Sequence, residues 1–158
     1  MSNAGTTTFE QPRLELSEHA QAAYRAMIRF DGAIEFDPTL GELVRVRASI
    51  LNGCAYCVDM HTIDARAKGE TEQRLYAVAT WPEAPFFTDR ERAALALTDA
   101  ITLISETKVP RDVYDLAAAH FDDEELAQLI WTITAINAWN RVAVATRMLP
   151  GEYEPSTA

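Results

Sequence analysis

Positive charge is scarce in this sequence. It has 14 Lys and Arg residues against 24 Asp and Glu residues, which gives a formal net charge of −10. Proteins that bind nucleic acid or an anionic membrane surface need clustered Lys and Arg. The charge balance therefore argues against both kinds of partner, and no apolar run approaches the roughly 18 residues that a membrane span requires.

Cysteine, glycine and proline are also few, at two, six and seven residues in a chain of 158. The N-terminal stretch has no basic region followed by an apolar region, the pattern of a secretory signal, so we predict a reducing cytoplasm. There, two cysteines more often serve catalysis, redox exchange or metal binding than a structural disulfide. The chain length suits one domain with a real core.

Helical periodicity dominates the rest of the chain, and no segment alternates polar and apolar residues as a strand would. Thr88 and Glu91 fit a capping box, Ser17 and Asp122 fit N-caps, and Asn52-Gly53 is a turn signal. These signals predict an all-α, single-domain bundle of about seven helices. Their approximate spans are 17–30, 40–51, 54–68, 71–80, 88–105, 110–120 and 122–148.

The last of these helices is apolar around much of its circumference, so it needs burial on more than one side. This predicts a central core helix, a subunit interface, or both. The apolar positions are Leu129, Ile130, Trp131, Ile133, Ile136, Trp139, Val142 and Val144.

Both cysteines lie in the stretch NGCAYCVDMH, residues 52–61. On a helix Cys54, Cys57 and His61 share one face. The turn before Cys54 places it in the first turn of its helix, where the helix dipole favours thiolate over thiol. A disulfide that encloses two residues stabilises a fold little by loop closure, so reversible opening and closing is its better use. His61, one turn beyond Cys57, can accept a thiol proton.

Glu42 is the candidate for orienting His61. If the helices before and after Asn52-Gly53 fold back antiparallel, Glu42 lies about 15 Å and His61 about 12 Å from the turn, at 1.5 Å per residue. The two side chains would then lie at nearly the same level.

Other interpretations of the cluster stay open at this point. Cys54, Cys57, His61 and Glu42 could form a tetrahedral metal site, although no second cysteine pair is present. The cysteines could also be inert buried thiols, since cysteine is among the most buried residue types. A haem attachment motif is excluded because Val58, not His, follows Cys57.

The spacing of Glu42, eleven residues, Cys54-x-x-Cys57, three residues and His61 resembles the signature of the alkylhydroperoxidase D group within the carboxymuconolactone decarboxylase superfamily. Three flanking segments resemble that group too, at 42–71, 85–100 and 136–147. The resemblance covers residues 15–151, which leaves a lead-in at 1–14 and a tail at 152–158. It implies an all-helical fold and thiol-dependent peroxide reduction without a cofactor.

Position by position, the resemblance implies that Cys57 is the peroxidatic cysteine and Cys54 the resolving one. Glu42 and His61 would belong to the proton relay. The implied partners are a hydroperoxide and a dithiol reductant, which in the family can be a lipoylated protein. We expect the reductant to attack the more exposed sulfur, predicted to be that of Cys54. The family also implies a homo-oligomer, a trimer or a hexamer.

The sequence departs from the best-understood members at Tyr56, where they carry a histidine. A tyrosine hydroxyl, with an unperturbed pKa near 10, can donate or relay a hydrogen bond but is a poor base at neutral pH. The relay would then run through Glu42, His61 and water. The alternative functions are a lactone decarboxylase, a branch that needs no cysteine pair, a disulfide reductase, and a non-catalytic redox switch.

Overall fold

The structure is a computed structural model that describes residues 11–155. Within that range every regular element is helical, which confirms the all-α prediction. In chain order the elements are α1 (Leu16–His19), α2 (Gln21–Gly32), α3 (Pro38–Asn52), α4 (Ala55–Ala67), α5 (Glu72–Ala77), a 3-10 turn (Val78–Thr80), α6 (Asp89–Thr102), α7 (Ile104–Thr107), α8 (Arg111–Ala118) and α9 (Asp123–Thr146).

Helix boundaries follow local capping chemistry where the sequence signals are strong. Thr88 and Asp122 each form a capping box with the glutamate three residues later. Gly53 ends α3 in the left-handed conformation, with φ of 67°, and so makes the predicted turn. These boundaries decide where the site residues of α3 and α4 lie.

Two predicted helices are each divided into two separate α-helices in the structure. The predicted helix 17–30 becomes α1 and α2, which separate at Ala20, where φ is −133°. Ser17 lies inside α1 and Glu15 occupies the N-cap position, so the prediction that Ser17 caps this helix was wrong. The predicted helix 88–105 divides at Leu103, and the Thr107 hydroxyl donates to the Ala100 carbonyl oxygen at 2.6 Å near the end of α6.

The core lies between α3, α6 and α9, and α4 packs against α3. An ion pair ties α3 to α6, because the Arg47 guanidinium donates to both carboxylate oxygens of Asp99, at 2.6 and 2.9 Å. These contacts fix α3, which carries Glu42 and leads into the cysteine pair. The largest apolar side chains buried completely in this core are Leu43, Leu95, Leu97, Leu129 and Ile133.

The opposite face of α9 is less covered. Trp131 is 51% exposed, and α2, which lies over this face, has no buried residue of its own. α2 meets α9 through two edge-to-face ring contacts, Tyr24 with Trp139 at 5.5 Å and Phe30 with Trp131 at 5.4 Å. Among the described residues, no helix is long and apolar enough to cross a membrane.

Candidate active site

The two cysteines form a disulfide at the start of α4. The Sγ atoms of Cys54 and Cys57 are 2.06 Å apart and their Cα atoms are 5.3 Å apart. Cys54 is the N-cap of α4, one position before the predicted first turn, and its Sγ accepts a hydrogen bond from the Cys57 backbone N–H at 3.2 Å. The helix N-terminus therefore acts on the Cys54 sulfur, in the direction that stabilises negative charge.

Both cysteines are buried, each only 2% exposed. They pack in a small apolar cluster between α3, α4 and α9. The prediction that Cys54 is the more exposed of the two was wrong for this disulfide form. The cause is tertiary packing, because α9 covers the end of the helix that the sequence alone would leave open. The main apolar neighbours are Ala48, Ile136, Trp139, Ala143 and Met148.

Glu42 and His61 meet, as the antiparallel arrangement of α3 and α4 predicts. His61 Nδ1 lies 2.9 Å from Glu42 Oε2, and both residues are buried. Two cations lie beside the same carboxylate. Lys68 Nζ donates to Glu42 Oε1 at 2.6 Å, and Arg45 approaches that oxygen at 3.4 Å.

Burial alone would raise the pKa of Glu42. The hydrogen bond and charge of His61, the hydrogen bond from Lys68 and the charge of Arg45 outweigh it and lower that pKa to about 2. Glu42 is therefore ionised at neutral pH and can only accept hydrogen bonds. The bond to His61 then requires the proton on Nδ1, which leaves Nε2 as the basic nitrogen of a neutral imidazole.

Asp64 and Tyr153 also lie at this site, although the sequence analysis did not single them out. One oxygen of Asp64, one of Glu42 and one nitrogen of His61 all lie within 4.8 Å of one another. The Tyr153 hydroxyl donates to Asp64 Oδ1 at 2.8 Å. Burial and this hydrogen bond raise the pKa of Tyr153 to about 12, so it remains a donor at neutral pH. Asp64 could have been found from its i+3 spacing to His61, whereas Tyr153 carries no sequence signal.

Among the described residues, Glu42, His61 and Asp64 form the one group of three possible ligands close enough together to hold a metal ion. The Lys68 ammonium already bonds Glu42, so a metal ion here would compete with a resident positive charge. The predicted alternative of a tetrahedral site also needs two thiolates. In this form the Cys54 and Cys57 sulfurs are bonded to each other and offer none.

A C-terminal strap, residues 148–153, runs along α4. The Gly151 backbone N–H donates to Asp59 Oδ2 at 2.8 Å, and Tyr153 reaches Asp64 further along the helix. Met148, at the start of the strap, borders the cavity next to the disulfide. The strap is therefore fixed to α4 at Asp59 and Asp64, and its first residue borders the cavity that Cys57 and His61 line.

That cavity has a volume of about 200 Å³. Cys57, His61, Tyr56 and Arg45 line it, but Cys54 does not. Burial and the nearby Tyr24 and Asp59 raise the pKa of Tyr56, so its hydroxyl can donate but is not a base at neutral pH. The apolar part of the lining consists of Ile28, Met60, Ile136, Trp139, Ala143 and Met148.

A chain of amides holds the turn before Cys54. The Asn52 side-chain amide donates to the Oδ1 atoms of Asn137 and Asn140, at 3.0 and 2.8 Å. Asn140 in turn donates to Ser49 Oγ at 3.0 Å, and Asn140 is completely buried. α9 thus fixes the start of α4 by polar contacts as well as by apolar packing.

Comparison with known proteins gives one family match. The model of the carboxymuconolactone decarboxylase family matches residues 20–100. Among curated proteins, YdfG of Bacillus subtilis is 40% identical over 131 residues, covering 83% of this chain and 89% of that protein. YnjA of Escherichia coli is 33% identical over 93 residues, 59% of this chain and 50% of that protein. Both are uncharacterized proteins.

Two solved structures illustrate the structural similarity. A protein of unknown function from Agrobacterium tumefaciens, named as a candidate AhpD antioxidant defence protein, has a TM-score of 0.88 and 36% identity. That match covers 90% of this chain and all of the other. The debrominase Bmp8 has a TM-score of 0.71 at 18% identity, over 87% of this chain and 75% of its own, and that likeness extends to the fold alone.

Proposed function

Since this chain belongs to the carboxymuconolactone decarboxylase family and is alkylhydroperoxidase D-like, we propose that it is a thiol-dependent hydroperoxide reductase. The observation that carries the proposal is that Cys57 and His61 line one cavity while Glu42 holds His61 from behind at 2.9 Å. A nucleophile beside a base, with the base oriented by a third group, is the arrangement that activates a thiol. We assign the activity to the domain at residues 15–151.

The first step uses Cys57. In the reduced protein His61 Nε2 takes the Cys57 thiol proton, and the thiolate attacks the distal oxygen of a hydroperoxide in the cavity. The O–O bond breaks, Cys57 becomes a sulfenic acid, and the leaving alkoxide takes the proton back from His61 as the alcohol departs. Glu42, ionised throughout because its pKa is about 2, stabilises the imidazolium that forms between these transfers.

The second step uses Cys54. Its thiolate attacks the Cys57 sulfenic sulfur, the S–O bond breaks and the disulfide forms, while the departing hydroxide takes a proton from solvent and leaves as water. The N-cap position favours thiolate over thiol at Cys54, because the backbone N–H of Cys57 donates to its sulfur in the disulfide form. A dithiol reductant then restores both thiols and leaves as its own disulfide. We propose a small dithiol or a lipoylated protein for this role, in a reducing cytoplasm.

Tyr56 and His61 have different roles at the cavity wall. Tyr56 lacks the basicity to draw a proton from Cys57, since its pKa is raised further from its ordinary value near 10. Its hydroxyl can donate a hydrogen bond to the bound hydroperoxide or to a water molecule. We therefore assign the role of base to His61.

The test is steady-state consumption of hydrogen peroxide and cumene hydroperoxide with a panel of dithiol reductants. We expect turnover that Cys57→Ser abolishes and that His61→Ala slows by roughly 10²-fold, the usual effect of a lost general base. His19→Ala, a change at an exposed histidine of α1, is the matched control and should leave the rate unchanged. Reversible oxidation of the pair without turnover would instead favour a redox switch.

A further inference from the structure

We infer that a thiol reductant opens the disulfide by attacking the Cys57 sulfur, so that the mixed disulfide forms on Cys57 and Cys54 leaves as the thiolate. This is the reverse of the prediction from sequence. The inference concerns the reductive step of the proposed function. The chemistry needs no peroxide, so it can be tested separately.

Access to the sulfurs is the first argument. Each cysteine is only 2% exposed, so a nucleophile must enter through a cavity rather than from the open surface. The cavity of about 200 Å³ borders Cys57 and not Cys54. Cys54 instead lies between Gly53 and the first residue of α4, where side chains of α9 pack against it.

Direction of attack is the second argument. Thiol–disulfide exchange proceeds by displacement at one sulfur, with the leaving sulfur on the far side of the one attacked. Seen from the cavity, Cys57 is at the wall and Cys54 is not. A thiolate in the cavity therefore meets Cys57 first, and Cys54, which does not border the cavity, is the sulfur left to depart.

Stability of the leaving group is the third argument. Exchange is faster when the departing thiol has the lower pKa. Cys54 is the N-cap of α4, and its sulfur already accepts the Cys57 backbone N–H at 3.2 Å. The helix N-terminus therefore stabilises the Cys54 thiolate as it forms, whereas Cys57 lies within the helix, three residues further on.

A reductant thiolate forms a bond to Cys57 Sγ while the Cys57–Cys54 bond breaks, and Cys54 receives the electron pair. The second thiol of the reductant then attacks the reductant sulfur of the mixed disulfide and releases Cys57 as a thiolate. The reductant is oxidised to its disulfide, and the protein disulfide is reduced by two electrons. His61, at the cavity wall, can take the proton of that second thiol on Nε2 and pass it to the Cys57 thiolate.

The experiment treats the oxidised wild-type protein with 2-mercaptoethanol for a series of short times, then adds N-ethylmaleimide in excess over all thiols and quenches with acid. Peptide fragmentation by mass spectrometry then locates the adducts. Fragment ions from cleavage of a peptide bond between Cys54 and Cys57 show which cysteine carries mercaptoethanol and which carries maleimide. We expect mercaptoethanol on Cys57 and maleimide on Cys54, in roughly tenfold or greater excess over the reverse pattern. The ratio is extrapolated to zero reduction time, which removes any later migration of the adduct. Mercaptoethanol on Cys54 in equal or greater amount would overturn the inference.

A pair of alanine variants on α9 checks the route. Ala143 lines the cavity and is 4% exposed, whereas Ala145, two residues on, is exposed and borders no part of that cavity. Ala143→Phe should slow opening of the disulfide by roughly tenfold or more, and Ala145→Phe should leave its rate unchanged. Equal rates in a folded Ala143→Phe would contradict entry through the cavity. If that variant does not fold, the adduct position in wild type still decides.

Peroxide turnover is measured in parallel and separates the two proposals. An adduct on Cys57 without peroxide turnover would refute the peroxidase and support the inference. Turnover with the adduct on Cys54 would refute the inference alone.

Discussion

Glu42 illustrates how one buried charge is maintained among its neighbours. Its side chain is only 4% exposed, which by itself favours the neutral acid. His61, Lys68 and Arg45 surround it and reverse that preference. The residue thereby stays an acceptor for His61 over the whole range in which the protein would work.

Stability should depend on pH through this residue. The pKa of Glu42 is lowered from 4.5 to about 2 in the folded chain. The ionised Glu42 therefore contributes to the free energy of unfolding above pH 4.5, and this contribution is lost as the pH falls towards 2. At 1.36 kcal/mol per pKa unit it amounts to about 3 kcal/mol. Urea unfolding at pH 7, 4 and 2.5 should show a flatter pH profile for Glu42→Gln than for wild type. Glu72→Gln, at a largely exposed glutamate, is the control and should keep the wild-type profile.

The roles of the two cysteines can be separated by trapping sulfenic acid. One equivalent of hydroperoxide should leave Cys57 as a sulfenic acid in reduced Cys54→Ser, because no resolving thiol remains. The same treatment should leave Cys54 of Cys57→Ser largely unoxidised, since Cys57 is the cysteine at the cavity wall. The measurement is mass spectrometry after dimedone labelling. Label on Cys54 alone would reverse the roles, and equal slow labelling of both would end the peroxidase proposal.

The sequence predicted the contact between Glu42 and His61, which the turn brings together. It did not predict the residues that tertiary packing adds to the site. The contact of Glu42 with His61 could be predicted because one short turn joins α3 to α4. At 1.5 Å per residue, the two residues then lie at similar distances from that turn. Tyr153 lies 89 positions from Asp64, and nothing local links them. The relative exposure of Cys54 was missed for the same reason, since α9 covers it.

At the scale of elements, the α3–α4 turn determines the geometry of the site. Gly53 has φ of 67°, and its backbone N–H and that of Cys54 return to carbonyl oxygens of the last turn of α3. Capping chemistry of this kind is local, so the sequence predicted it, as it did the boxes at Thr88 and Asp122. The breaks at Ala20 and Leu103 carried no Gly or Pro signal and were not predicted.

Replacing Gly53 by alanine tests the turn. A Cβ there meets no atom within 4 Å, so the cost is conformational and should be about 1–2 kcal/mol of unfolding free energy for a side chain at positive φ. Gly32→Ala is the matched control, at the last residue of α2, where φ is not positive and space is also open. It should be neutral or stabilising. The two values come from urea unfolding. A cost at Gly32 equal to that at Gly53 would contradict the explanation.

For the whole molecule, the uncovered side of α2 and α9 is the notable surface. Ile28 is 50% exposed and Trp131 is 51% exposed. Exposed apolar side chains that lie together often mark a surface that another protein covers. Together with the absence of buried residues in α2, this supports the predicted homo-oligomer. The family resemblance favours a trimer or a hexamer.

Sedimentation velocity at micromolar concentration should therefore show a species larger than the 17.6 kDa chain. Trp131→Glu should shift the distribution towards monomer, because it places a charge in the apolar contact. Tyr76→Glu, at an aromatic residue that is 72% exposed on α5, is the control and should not. A wild-type monomer under these conditions would end the oligomer proposal.

One cavity serving two half-reactions has a kinetic consequence. The hydroperoxide and the reductant would both react at Cys57 through one cavity of about 200 Å³, and each needs that sulfur in a different oxidation state. Turnover should then follow ping-pong kinetics, with parallel double-reciprocal lines at low concentration. At high concentration each substrate should occupy the form of the protein with which it cannot react, and so inhibit competitively against the other. Such a protein would work fastest when neither substrate is in large excess, because both reach Cys57 through the same cavity.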